Sequence, residues 1–165
     1  MMAPTIRLAQ PADAAAIEAI YAHYVRHSTC TAQRDPEPLA VRDAWLADRG
    51  AEHPVTVMEA DDGSIAAWGC LSPYKARWGY RFTVESSVYV RHDLHRRGLG
   101  RAVMVDLIER ARASGHASII AAITTEQDAS IQLHAALGFN QVGRIEGIIH
   151  KFERWMGVVY MQRRL

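Results

Sequence analysis

The segment Thr83-Val84-Glu85-Ser86-Ser87-Val88-Tyr89-Val90, followed by Arg91-His92-Asp93-Leu94-His95-Arg96-Arg97-Gly98-Leu99-Gly100-Arg101, constrains the chain most. Its first part, rich in β-branched residues, reads as a strand. A short charged loop follows, and Gly-Leu-Gly then opens the run Arg101 to Arg112. That run lacks Pro and Gly and keeps apolar residues at Val103, Leu107, Ile108 and Ala111, which predicts an amphipathic helix. Strand, glycine turn and helix N-terminus together form an anion-binding geometry. The first N–H groups of a helix have no partners, and its dipole favours negative charge there. Gly98 and Gly100 carry no Cβ, so a phosphate can approach the backbone. Arg96, Arg97 and Arg101 add charge-assisted donors. No Gly-Lys-Ser/Thr follows, which excludes a P-loop, and Val103 stands at the third glycine position of the dinucleotide fingerprint. A phosphorylated ligand of another kind is expected here.

The chain has 165 residues, which sets the expectation of one domain over 1–165 with a full core. A net charge of +1 gives no general reason to expect nucleic acid. The two cysteines, Cys30 and Cys70, form neither a metal-type spacing nor a disulfide framework, so no metal is expected. Met1-Met2-Ala3-Pro4-Thr5 carries no apolar leader region, and no later run is long enough to cross a bilayer. The expected compartment is the cytoplasm, with no membrane partner.

In chain order, Thr5 to Leu8 reads as a strand, and Pro11 and Asp13 open a helix. Ile17, Ile20, Tyr21, Tyr24 and Val25 give that helix its apolar face. Residues 28–38 form a polar loop with two prolines, and a second helix runs from Leu39 to Asp48. Val55 to Ala60 and Ile65 to Leu71 pair across the turn Asp61-Asp62-Gly63-Ser64. The central strand is expected from Tyr80 to Val90. Gly115 closes the central helix. Ser118 to Ile123 follows as a buried strand parallel to the central one. Asp128 is the expected N-cap of a helix from Ala129 to Leu137, with Gly138 after it. Asn140 to Glu146 and Trp155 to Arg163 finish as strands, with Lys151-Phe152 between them. The order describes a mixed α/β domain.

The segment Thr83 to Arg101 resembles the acetyl-CoA signature of the GCN5-related N-acetyltransferases (GNAT). That signature's helix start is written Gln/Arg-x-x-Gly-x-Gly/Ala. Tyr80 to Val90, the run Ser130-Ile131-Gln132-Leu133-His134-Ala135-Ala136-Leu137-Gly138-Phe139, and the ending Lys151 to Trp155 with Tyr160-Met161-Gln162 are similar to the phosphinothricin and methionine-sulfoximine acetyltransferase branch. The resemblance implies a GNAT-type, mostly antiparallel central sheet flanked by helices, with a parallel pair at the acetyl-CoA cleft. It also implies acetyl-CoA as co-substrate, a small amino-acid-like acceptor and a homodimer. Three positions depart from the pattern. His95 replaces the signature's Gln/Arg, Gln127 aligns with an Asn that contacts CoA, and Ala32 aligns with an aromatic that some relatives place against substrate.

The resemblance assigns Glu85 as the general base that deprotonates the acceptor amine. A partly desolvated strand carboxylate has the raised pKa such a base needs; the plain alternative is a solvated strand carboxylate. His134 lies on an apolar helix face. It is either a structural histidine bonded to a backbone carbonyl, or the group that protonates the CoA thiolate, or a second base. The resemblance gives the backbone of Val88, Tyr89 and Val90 to the pantetheine arm and the thioester oxygen. It gives the pyrophosphate to Arg96, Arg97, Gly98, Leu99, Gly100 and Arg101, with Gln127 also toward CoA. Lys75, Arg77, Tyr80 and Arg81 precede Glu85 and are candidates for the acceptor carboxylate. Ser86 and Ser87 flank the base, and strand alternation sends one of them to the core. Of the four tryptophans, Trp78 is the candidate wall of the acceptor pocket. The leading expectation is acetyl transfer to the α-amine of phosphinothricin or methionine sulfoximine or sulfone. A peptide or protein N-acetyltransferase and a non-catalytic CoA- or nucleic-acid-binding module stand as alternatives.

Overall fold

The computed structural model describes residues 5–165; residues 1–4, on which the expectation about a leader falls, lie outside the described residues. In chain order the elements are β1 (Ile6–Leu8), α1 (Ala14–His27), α2 (Leu39–Ala47), β2 (Val55–Glu59), β3 (Ile65–Pro73) and β4 (Thr83–Val90). They continue with α3 (Leu99–Ala113), β5 (Ser118–Thr124), α4 (Asp128–Ala136), β6 (Asn140–Lys151) and β7 (Arg154–Arg164). The strands form one seven-stranded sheet in the order β1-β2-β3-β4-β5-β7-β6. Every neighbouring pair is antiparallel except β4 and β5, which run parallel. The mixed, mostly antiparallel sheet with one parallel pair is therefore observed.

Strand alternation splits the core between the two faces of the sheet. Met58, Ala67, Leu71, Val84 and Ile119 pack with α3 residues Val103, Met104, Leu107 and Ile108. Val57, Trp68 and Cys70 point the other way and pack with Ala14, Ile17 and Ile20 of α1 and Leu46 of α2. Both α1 and α3 carry their apolar residues at the helical spacing read from the sequence, and α3 ends as expected with Gly115 at φ 77°.

Several element boundaries differ from expectation, three of them for a reason the structure shows. Tyr80 belongs to a turn of 3₁₀ helix, Trp78–Tyr80, and β4 begins only at Thr83. Its ladder partner β3 ends at Pro73, opposite Val84, so no strand remains for residues 80–82 to pair with. The N-cap of α4 is Gln127, and Asp128 is the first helical residue, where its charge still suits the dipole. β6 runs on to Lys151, past the expected end at Glu146. A register shift between Ile145 and Ile149 absorbs Gly147 at φ 62°, a local bulge that hides the strand's period of two. Phe152 and Glu153, at φ 51° and 59°, make the whole connection to β7. Two positive φ values match a type I′ hairpin, but the usual Asn-Gly signal for that turn is absent.

Candidate active site

β4 is bonded along its full length to β3, but to β5 only through Thr83, Val84 and Glu85. Beyond Glu85 the parallel strands separate. In an antiparallel ladder, alternate residues spend their backbone groups on one neighbour. Arg91 N–H donates to Ala66 O at 2.8 Å, so Tyr89 and Ser87, in the same phase, also bond across to β3. Ser86, Val88 and Val90 aim their backbone groups at the gap left by β5. Tyr24 Oη–H donates to the Val90 carbonyl, which leaves the Val88 groups and Val90 N–H available to a ligand.

The gap leads to the N-terminus of α3. Gly98, at φ 78°, is its N-cap, and no side chain caps the first turn. Arg96 is also left-handed, at φ 62°; such conformations turn successive N–H groups inward and build an anion nest. A Cβ on Gly100 would reach 3.5 Å from Val90 Cγ2 and 3.6 Å from Leu133 Cδ2, so this glycine stands between β4 and α4 at the mouth of α3. The result is a cleft of about 370 Å³. An open strand edge, uncapped N–H groups and flanking arginines fit a long ligand with a phosphorylated end.

Of the residues expected to hold the co-substrate, Val88, Tyr89, Val90, Arg96, Gly98, Leu99, Gly100, Arg101 and Gln127 line the cleft. Tyr89 lines it without offering backbone groups, since those face β3. Arg97 is exposed and outside the lining. Ser86, Ser87 and His134 border the same cleft. Ser86 is buried and donates to Ile120 O at 3.5 Å; Ser87 lies on the opposite face of β4.

His134 Nδ1 stands 2.7 Å from Ser130 O. A carbonyl can only accept, so Nδ1 carries the proton and Nε2 presents a lone pair. Burial holds the imidazole pKa below its ordinary value, against the opposing pull of the Ser130 carbonyl. A neutral ring with this tautomer can take a proton at Nε2 but has none there to give.

Among the cleft residues the sequence does not single out are Tyr24 and Cys30. Tyr24 reads as part of the apolar stripe of α1. Its single hydroxyl proton goes to Val90, so its oxygen accepts from His95 Nε2–H at 2.6 Å. Burial pushes the Tyr24 hydroxyl up to about 12, which keeps it protonated. His95, at the departing signature position, thus ties the phosphate loop to α1. Cys30 is half-buried, and burial raises its thiol pKa. Its loop is pinned from two sides. Gln127 Nε2 donates to Thr29 Oγ1 at 3.0 Å. Lys151 Nζ, buried, donates to Ser28 O at 2.7 Å and Thr31 O at 2.9 Å.

Glu85 lies on the face of β4 away from α3, opposite Ser72 of β3. It is half-buried, and burial alone raises its carboxyl pKa. Ser72 and Ser87, its neighbours on that face, border a second cavity of about 290 Å³ beneath α2. Ser87 and Tyr89 line both cavities, so the two meet at β4. Lys75, Arg77, Tyr80 and Arg81 are exposed on the segment before β4 and border neither cavity. Lys75 sits over the rings of Tyr74 and Tyr80, and Arg81 over Trp78 at 3.4 Å. Trp78 is 76% exposed; the rings that wall the second cavity are Trp45 and Trp68, with Tyr21 and Tyr89.

Fold and cleft together define a transferase that lays a phosphorylated acyl carrier along an opened strand edge. The acetyltransferase (GNAT) domain matches residues 6–159. The L-methionine sulfoximine/L-methionine sulfone acetyltransferase of Pseudomonas aeruginosa is 38% identical over 165 residues, covering 99% of this chain and 96% of the relative. The phosphinothricin N-acetyltransferase of Alcaligenes faecalis is 37% identical, covering 98% of this chain and 82% of the relative. The structure of yncA from Salmonella typhimurium, solved with its cofactor acetyl-CoA, superposes with a TM-score of 0.95. It is 35% identical, with 99% of this chain and 94% of that one covered. The chain belongs to the GNAT acetyltransferase family. It is an N-acetyltransferase, and acetyl-CoA is its co-substrate.

Proposed function

We propose that this enzyme acetylates the α-amine of a small amino-acid analogue of the phosphinothricin or methionine sulfoximine/sulfone kind, with Glu85 as general base. The observation that carries the reading is the position of Glu85. It is a half-buried carboxylate where β4 leaves β5, on the same strand face as Ser87, which borders both cavities, and opposite Ser72, which borders the second. The names of the relatives support the acceptor class. Bound acetyl-CoA supplies an activated acetyl carbon and a thiolate leaving group. Glu85 takes the proton of the acceptor ammonium, directly or through a water, because burial has raised its affinity for protons toward that task. Val88 and Val90 offer backbone N–H groups to the developing oxyanion. The exposed cations Lys75, Arg77 and Arg81, with Tyr80, form a rim that draws in and orients the acceptor carboxylate. Ser87 holds the amine beside Glu85, and Ser86 braces β5 behind it. His134 acts as the second base at Nε2.

Val142, Ile145, Ile148, Phe152 and Trp155 are exposed on the β6–β7 hairpin, which supports a homodimer through that surface. No helix among the described residues is long and apolar enough to cross a membrane.

The test is thiol release from acetyl-CoA with a panel of free amino acids and analogues, on wild type and Glu85→Gln. Turnover of phosphinothricin, methionine sulfoximine or the sulfone, cut by roughly 10²–10⁴-fold in the variant, is the expected result. Acetyl-CoA binding with no turnover on any free amino acid would shift the acceptor to a peptide amine. Full activity of Glu85→Gln would remove Glu85 as the base.

A further inference from the structure

The cavity beneath α2 contains a guanidinium that the fold leaves half used. Arg42 is 5% exposed, and its Nε donates to Glu18 Oε2 at 2.9 Å. Neither Nη has a hydrogen-bond partner among the described residues, and Arg42 borders the cavity. Its Cζ lies 4.8 Å from the Tyr21 ring, 4.7 Å from Trp45 and 5.7 Å from Trp68, which fixes the plane of the group. A planar, buried fork with free N–H donors is a built receptor for oxygen.

The charge around it selects which oxygen. Arg42 is already matched by buried Glu18. Arg49, over the Trp45 ring at 4.4 Å and bonded to Ser72 Oγ at 3.1 Å, is matched in count by Glu37, which borders the cavity and is exposed. The cavity therefore offers donors without a surplus of positive charge. A second full anion would enter against Glu37 and find no unmatched cation. A neutral, strongly polarised oxygen would satisfy the Nη donors at no such cost. The rings of Tyr21, Trp45, Trp68 and Tyr89, which suit a short apolar stem, line the cavity together with Gln33, Cys70, Ser72 and Ser87.

Building on the acceptor class proposed above, we infer that this cavity receives the distal end of the acceptor side chain. Arg42 there reads a neutral sulfone or sulfoximine oxygen in preference to an anionic terminus. Ser87 and Tyr89 belong to both cavities, and Ser72 faces Glu85 across the ladder. An acceptor whose amine lies at Glu85 thus directs its side chain toward Arg42. A ligand that fills the cavity without an oxygen strips water from the Nη groups and leaves them unpaired. Sites of this kind reject such analogues strongly.

The experiment compares kcat/KM for methionine sulfone, methionine and phosphinothricin in wild type, Arg42→Lys and the charge-neutral pair Glu18→Gln with Arg42→Gln. The first variant keeps the ion pair but loses the fork; the second avoids a stranded buried carboxylate. Tryptophan fluorescence, titrated with methionine sulfone alone, reports binding directly, because Trp45 and Trp68 wall the cavity. Wild type is expected to favour the sulfone over methionine by about 100-fold or more, and over phosphinothricin by about 10-fold. Both variants should bring the sulfone-to-methionine ratio within a few-fold of unity while leaving the KM for acetyl-CoA unchanged. An unchanged ratio in both variants, or a wild-type preference for phosphinothricin, overturns the inference while leaving acetyl transfer to amino acids intact. If wild type acetylates no free amino acid, the proposed function fails. The fluorescence titration then decides on Arg42: saturable sulfone binding lost in the variants supports its role, and no saturable binding refutes it.

Discussion

Gly69→Ala tests whether the opened edge of β4 is held in place by the packing behind it. Gly69 sits in β3 directly opposite Val88. A Cβ there would stand 2.7 Å from Val103 Cγ1, 2.9 Å from Leu107 Cδ1 and 2.9 Å from Ser87 O. Val103 and Leu107 are fully buried. Leu107 can rotate away at modest cost, but a helical valine has one favoured rotamer and little freedom. The Ser87 carbonyl moves only if β4 moves. Overpacking of this kind costs roughly 1–3 kcal/mol, and the gain from restricting the unfolded chain returns about half a kcal/mol to 1 kcal/mol. A net loss of about 1–2 kcal/mol in a chain of this size lowers Tm by roughly 3–8 °C. The displaced strand carries Val88, so the KM for acetyl-CoA should rise several-fold along with the loss of stability. Differential scanning calorimetry and initial-rate kinetics measure the two effects. Gly50→Ala, where an added Cβ meets nothing within 4 Å, is the control. A Gly69→Ala protein with the melting temperature and acetyl-CoA KM of the control would refute the argument.

Other substitutions separate catalysis from stability. Burial raises the Glu85 carboxyl pKa, so the native state holds that proton more tightly than the unfolded chain. Stability is then lost as pH rises from the unfolded value through the native one. Glu85→Gln should therefore melt higher than wild type at neutral pH while the acidic limb of its kcat/KM profile disappears; a lower Tm would contradict the burial argument. His134→Asn keeps a donor toward Ser130 O but removes Nε2. It should fold normally and lose about 10–100-fold in kcat if Nε2 moves a proton, whereas unchanged kcat with a lower Tm would mark a structural residue. Arg96→Gly relieves a left-handed arginine at φ 62° and should gain up to about 1 kcal/mol in urea unfolding, yet its acetyl-CoA KM should rise. Lys151→Met leaves the Ser28 and Thr31 carbonyls without their buried donor and should cost about 1–3 kcal/mol, read by the same unfolding assay.

The strand, glycine turn and helix start around Gly98 were legible because their chemistry is local. Strand, glycines and helix start are adjacent in sequence, and the β4–α3 unit carries them into space almost unchanged. The parallel pairing of β5 was legible too, since an apolar run after a helix returns beside the strand that preceded it. What the sequence concealed depends on distance along the chain. Arg42 lies 24 residues from Glu18, and nothing in the run Leu39 to Leu46 singles it out. Nothing local says that α2 lies on Trp68 and turns this arginine inward. Trp78 read as a pocket wall because it precedes Glu85 in sequence, but β4 starts late and leaves the Trp78 turn outside. The extension of β6 was hidden by its own bulge. Gly157 makes that bulge possible, since a Cβ there would fall 2.8 Å from Ile145 O.

The three departures from the family pattern take on physical meaning once the chain is folded. His95 donates to Tyr24, whose hydroxyl closes the Val90 carbonyl, so the helix-start position here fastens the loop to α1. Gln127 reaches across to Thr29 and fixes the loop that brings Cys30 to the cleft. Ala32 is exposed and borders neither cavity. The aromatic surface of the second cavity comes from Tyr21, Trp45, Trp68 and Tyr89, which belong to both helices over that face and to the sheet itself. Rings anchored in helices and strands hold their positions more tightly than a ring on a loop, because their neighbours on every side are packed. As the acceptor subsite we infer, a ring-lined cavity with a fixed guanidinium would discriminate by fit and hydrogen bonding more than by loop closure. Substrate preference in this enzyme should therefore follow the fork of Arg42 more closely than substitutions at position 32.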